Sequence, residues 1–229
     1  MEEQLEYFKE YKSKIELSIG REKLDDHIEK SIFIINCGAN DIFAYFNTNP
    51  IRKKEFTIEA YQQFMVQKAV EFLQGLWNLG ARRIAVTGTP PVGCLPIVIT
   101  VHSNHSNLQR GCIERYSVAS LGFNMKLQDE LKSMQKKFTA YKGQIVYAHI
   151  YETLLELIQS PNKFGFKEST IGCCRTGLIE AGPLCTPVTK VCPDVSEYVF
   201  WDSVHPTSRA HTTTLFNEIR NVIDVMIKG

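Results

Sequence analysis

Apolar positions along the chain fall into two rhythms. Over residues 2–17, Leu5, Phe8, Tyr11, Ile15 and Leu17 recur at roughly helical spacing between Glu and Lys, which predicts an amphipathic helix. SIFIIN (31–36) is instead an unbroken apolar run followed by Cys37-Gly38, which predicts a strand buried on both faces, as in a parallel sheet. Residues 57–79 predict a long helix, with Thr57 as N-cap ahead of Ala60 and Leu79-Gly80 closing it. RIAVTG (83–88) predicts a second buried strand, ending in the loop TPPVGCLP. Residues 112–138 are helical in pattern, with Phe123, Leu127, Leu131 and Met134 on one face. QIVYAHI (144–150) predicts a third strand, and TLLELIQS (153–160) a short helix stopped by Pro161. Residues 161–198 show no regular period. A last helix is expected over 207–227, with Ala210, Leu215, Ile219, Val222 and Met226 inward.

Strand alternating with helix, three times over, predicts an α/β fold with a mostly parallel sheet and helices on both faces. Connections should be right-handed, and ligands should sit beyond the carboxyl ends of the strands. No internal repeat or low-complexity segment interrupts the pattern.

Composition narrows the class. With 44% hydrophobic residues in 229, the chain can bury a core of one ordinary domain or two small ones. A net charge of +1, with no clustered basic excess, argues against a nucleic-acid partner. The longest apolar runs, SIFIIN and PIVITV, are strand-sized, so no transmembrane segment is expected. The charged start MEEQLEYFKEYKSK is not a secretory signal. Yet seven cysteines are many for a cytosolic chain, and Cys173, Cys174, Cys185 and Cys192 fall in one Gly/Pro-rich stretch, as in a disulfide-stapled loop of an oxidising compartment. Asn104-His105-Ser106 is a glycosylation sequon pointing the same way. Connectivity is not written in the sequence; Cys94 with Cys112, and Cys185 with either Cys192 or Cys174, are the pairings considered. Zinc is the weaker reading, because the spacing lacks a C-x2-C knuckle.

Candidate chemistry follows strand ends. In WDSVHPT, Asp202 and His205 stand three apart, as a base histidine and the acceptor fixing its tautomer would. The same residues also suit a surface loop with a helix cap. In GAND (38–41), Gly38 permits a sharp turn and Asn40 offers a neutral amide able to bind a developing oxyanion, although Asn, Asp and Gly also make ordinary turns. TPPVGCLP is expected at the same end of the sheet, lining a cleft or simply stiffening a connection. Cys37 is read as a small buried residue before a reactive thiol. His149 ends a strand and could enter the cleft; His211 lies on the last helix; both are read as structural or surface groups.

Taken in order along the chain, GAND, TPPVGCLP, CCRTGLIEAGPLC and YVFWDSVHPT resemble the plant GDSL esterase/lipase family of the SGNH hydrolases. The resemblance implies a flavodoxin-like three-layer α/β/α sandwich over 1–229 as a single domain, and a secreted carboxylester hydrolase working by Ser–His–Asp acyl transfer. It implies His205 as base, Asp202 as its orienting partner and Asn40 as an oxyanion donor, with no cofactor and no metal. The partner implied is a small-molecule acyl ester or lipid.

The family's G-D-S nucleophile block and its second, glycine-bearing block have no counterpart here; the single Asp-Ser pair, Asp202-Ser203, lies inside the histidine loop, and no G-x-S-x-G elbow occurs. The expectation is therefore an N-terminally truncated, incomplete sandwich with no nucleophile of its own and little or no turnover. SIFIIN would keep a bare edge and invite self-association. The alternative is a non-catalytic relative that binds lipid or protein through the retained cleft.

Overall fold

A computed structural model describes residues 1–103 and 110–228. The sequon at Asn104 lies outside the described residues.

The chain opens with helices α1 (Glu2–Ile19) and α2 (Arg21–Lys30), then strand β1 (Ile32–Asn36), helices α3 (Ala39–Asn47), α4 (Pro50–Glu55) and α5 (Ile58–Asn78), and strand β2 (Arg83–Thr87). Helices α6 (Pro96–His102) and α7 (Glu114–Thr139) lead to β3 (Gln144–Ala148) and α8 (Ile150–Gln159). A second sheet holds β4 (Glu168–Gly172) and β5 (Tyr198–Phe200). The C-terminal rod begins as one turn, α9 (Ser208–Ala210), passes through a π-helical turn at His211–Leu215 and continues as α10 (Phe216–Lys228).

The three strands of the main sheet lie parallel in the order β1-β2-β3, with Asn36, Thr87 and Ala148 level at their carboxyl ends. Pleating sends Ile84 and Val86 into the large core shared with α5 and α7, while Ala85 faces α10 through Val222 and Met226. The result is the expected α/β/α layering. Buried Phe123, Leu127, Leu131 and Met134 lie along α7 as their spacing predicts, and Thr57 caps α5 by accepting the Ala60 N–H at 3.2 Å.

Several expectations need correction. SIFIIN is not buried on both faces. Phe33 and Ile35 pack on the main core, but Ile34, paired with Ala85, is 48% exposed, because α10 packs against β2 and β3 and leaves this face of β1 open. Residues 161–198 are not wholly irregular, since β4 crosses them. PIVITV is strand-sized but helical, with Pro96 in its first turn. The third strand stops at Ala148, and His149 becomes the N-cap residue of α8, so that helix begins earlier than expected. In α1 only part of the stripe packs: Leu5 and Phe8 meet the core, while Tyr11 and Leu17 stay exposed.

The pairings are Cys94–Cys112, Cys174–Cys185 and Cys173–Cys192. Cys192 therefore bonds Cys173, not Cys185. The adjacent cysteines follow directly on β4, with Cys173 and Cys174 donating their N–H groups to Phe200 O and Trp201 O.

Candidate active site

β5 delivers its chain end into a tight loop. The Trp201 N–H donates to His205 O at 2.8 Å, and Phe200 bridges Pro206. Within it, Asp202 Oδ1 accepts the N–H groups of Val204 (2.7 Å) and His205 (2.6 Å), an Asx-type turn that bends the backbone until the ring meets the carboxylate. Asp202 Oδ2 then lies 2.8 Å from His205 Nδ1. Asp202 is 1% exposed, while the His205 side chain is 62% exposed. The carboxylate is thus shielded behind a ring that faces outward. Gly172 packs against the Asp202 backbone so closely that a Cβ there would lie 2.5 Å from the Asp202 carbonyl.

Burial works to raise the Asp202 pKa. Donation from the Gly182 N–H, the His205 ring and the N–H groups of His205 and Val204 outweighs it, and the carboxyl sits below its ordinary value. A buried, charged acceptor at Nδ1 fixes the tautomer that leaves Nε2 free to take a proton.

The ring opens onto a cleft of about 700 Å³ whose walls are largely apolar, with Phe43, Leu95, Ile97, Leu154 and Leu215 among them. Asn40 lines the same cleft from the first turn of α3. Gly38 is the N-cap residue of that helix at φ +103°, so GAND is the start of a helix and not a free-standing turn. Pro90 and Leu95 bring in the TPPVGCLP loop. The structure therefore gathers Asn40, His205 and Pro90, residues far apart in the chain, beyond the carboxyl ends of β1 and β2. His149 is not part of it; its ring meets Tyr147 edge-on and lies 3.7 Å from Glu152.

Cys37 also borders the cleft. Burial, reinforced by Asp41, pushes its thiol up to about 11, away from thiolate chemistry at neutral pH. Among the described residues no serine hydroxyl bonds the His205 ring, and the Ser203 hydroxyl is fully buried without a hydrogen-bond partner. No group of three or more His, Cys, Asp and Glu side chains is gathered as a metal site would be, among the described residues. None of the described helices is long and apolar enough to cross a membrane.

A family model described as GDSL-like Lipase/Acylhydrolase matches residues 1–215. GDSL esterase/lipase At5g45960 of Arabidopsis thaliana is 45% identical over 224 residues, covering 98% of this chain and 60% of its own length. GDSL esterase/lipase At2g30310 of the same plant is 37% identical, with 97% of this chain and 60% of its own length covered. GDSL esterase/lipase APG, also from Arabidopsis thaliana, is 39% identical, with 91% and 58% covered.

The chain belongs to the GDSL-like lipase/acylhydrolase family. It spans about three fifths of the length of these GDSL relatives.

Two features of this GDSL chain escaped the sequence. His211 lines the cleft from the π-helical turn, a distortion often found at functional sites. Desolvation there, with His205 close by, lowers its pKa. The second is the Gly182 amide on Asp202, 20 residues away in sequence. A backbone donor carries no residue-type signal, and GPLC at 182–185 stood out only as part of a family string.

Proposed function

We propose that this chain carries the acid–base half of a carboxylester hydrolase that cleaves small-molecule acyl esters or lipids. The observation that carries the reading is the 2.8 Å contact between Asp202 Oδ2 and His205 Nδ1 at the wall of an apolar cleft that also holds Asn40. In the proposed reaction His205 Nε2 takes the proton of an attacking serine hydroxyl and later returns it to the leaving alcohol. Asp202 stays ionised, holds the tautomer and stabilises the imidazolium. Asn40 donates to the oxyanion of the tetrahedral intermediate. The apolar walls suit acyl chains, and three disulfides support an oxidising compartment for the protein.

The sequence holds no G-D-S block, so the serine is not assigned to any residue here and the chain by itself is expected to turn over no ester. That same lack supports a second reading, a non-catalytic relative that binds lipid or protein in the cleft. One experiment separates the two. A chimera joining this chain to the part of At5g45960 that it does not match is treated with a fluorophosphonate probe and assayed with nitrophenyl esters of several acyl lengths. The hydrolase reading expects labelling and turnover in the chimera, neither in the chain alone, and loss of turnover in the chimera on His205→Ala. A chimera that folds, binds the esters and is inert would favour the binding reading.

A further inference from the structure

The cysteine-bearing segment does more than brace the surface. Residues 180–182 run beside the Asp202–His205 loop and grip it at two points. The Gly182 N–H donates to Asp202 Oδ2 at 2.9 Å, and Glu180 O accepts the Ser203 N–H at 2.8 Å. The oxygen that Gly182 bonds is the one that meets His205 Nδ1. Gly182, Pro183 and Leu184 are exposed, and no strand or helix longer than a 3-10 turn carries them. Their position is fixed at Cys185, whose partner Cys174 is fully buried and donates its N–H to Trp201 O. The disulfide thus ties the end of an exposed loop to the residue next to Asp202. On the other side of Gly182, the buried Glu180 carboxylate accepts the Thr176 hydroxyl at 2.7 Å, which anchors the loop a second time.

We propose that the Gly182 amide, held in place by the Cys174–Cys185 cross-link, is a positioning group that aims the Asp202 carboxylate at His205. This rests on the dyad reading above and adds the part that orients it. A carboxylate bound through Oδ1 alone retains freedom to swing about its Cβ–Cγ bond. A donor on Oδ2 removes it, and a charge-assisted hydrogen bond in a shielded site is among the stronger ones. Among the described residues His205 is the titratable side chain in contact with the Asp202 carboxylate; the neighbouring Glu180 carboxylate is engaged by Thr176.

The test is nuclear magnetic resonance on the full chain and needs no turnover, so its result is independent of the chimera assay. In the native chain, the Gly182 amide proton is expected far downfield, and Asp202→Asn is expected to move it upfield. An amide that does not respond overturns the proposal. In the double variant Cys174→Ala/Cys185→Ala, the Gly182 amide should exchange with solvent about tenfold faster or more, and Asp202 should titrate closer to its ordinary value. The double variant Cys94→Ala/Cys112→Ala serves as the control for lost stability, and in it Asp202 should titrate as in the native chain and the Gly182 amide should exchange faster only as far as amides elsewhere do. Equal changes in the two double variants would mean general loosening and would overturn the proposal, as would no change in the first. Should the first variant not fold, the native and Asp202→Asn spectra decide alone.

Discussion

Asn124 on α7 grips the backbone of Thr89 from both sides: its Oδ1 accepts the Thr89 N–H at 2.7 Å and its Nδ2 donates to Thr89 O at 2.9 Å. Both residues are buried, so this one amide satisfies both polar groups of the residue that leads β2 into the cleft loop. Asn124→Ala leaves two buried backbone groups unpaired and is expected to destabilise the fold by about 2–4 kcal/mol. Urea unfolding of the variant against the native chain checks it; an unchanged midpoint would mean that the loop relaxes to solvent.

Gly38 is predicted to resist substitution for two reasons at once. Its φ of +103° disfavours any side chain, and a Cβ would lie 2.9 Å from Thr89 Cγ2. Gly38→Ala should cost about 1–3 kcal/mol. Gly111→Ala, where no atom would come within 4 Å of the new Cβ, should stay within about 0.5 kcal/mol of native. Thermal unfolding of the two variants side by side measures the contrast.

The Cys94–Cys112 bond closes a separation of 18 residues and pins the cleft loop to the segment just ahead of α7. Replacing both by Ala is expected to lower stability by about 3 kcal/mol through the wider unfolded ensemble. Denaturant titration of the oxidised native chain and of the variant gives the number.

Asp202 makes stability depend on acid. Its folded carboxyl lies below the ordinary 3.8, because the donors around it outweigh burial, so the unfolded chain binds the proton more tightly. Its contribution is therefore complete above the ordinary value and vanishes as pH falls through the lower folded one. Glu180 acts in the same direction, since the Thr176 hydroxyl and nearby N–H groups offset its burial. Stability should decline as pH is lowered from about 5, and Asp202→Asn should flatten part of that slope. Unfolding midpoints measured from neutral pH into acid test both statements.

Among the described residues β1 pairs with β2 alone and shows Ile34 to solvent, an edge that invites pairing with another chain. The chain is expected to associate as concentration rises, and Ile34→Lys to suppress it by placing a charge on that strand. Sedimentation velocity over a concentration series decides the matter; a native chain that stays monomeric would falsify this prediction.

What the sequence determined by itself is the part governed by local rules. Largely apolar runs marked β1, β2 and β3 as strands, but burial on both faces, the reason such runs are expected inside a parallel sheet, fails at β1, where Ile34 is exposed. The stripe through Phe123, Leu127, Leu131 and Met134 marked α7, because residues three and four apart share a helical face. The three-residue spacing of Asp202 and His205 sufficed to bring them together, since a single Asx turn spans it. Tertiary structure decided the rest. The exposure of Ile34 depends on where α10 lies across the sheet, and α10 begins only at Phe216, far along the chain. Cys192 bonds Cys173 because the backbone around β4 and β5 sets which sulfurs approach, and spacing along the chain carries no such vector. Gly182 reaches Asp202 through a backbone N–H, a group every residue but proline owns, so its selection came from the path of the folded loop and not from any letter in the sequence.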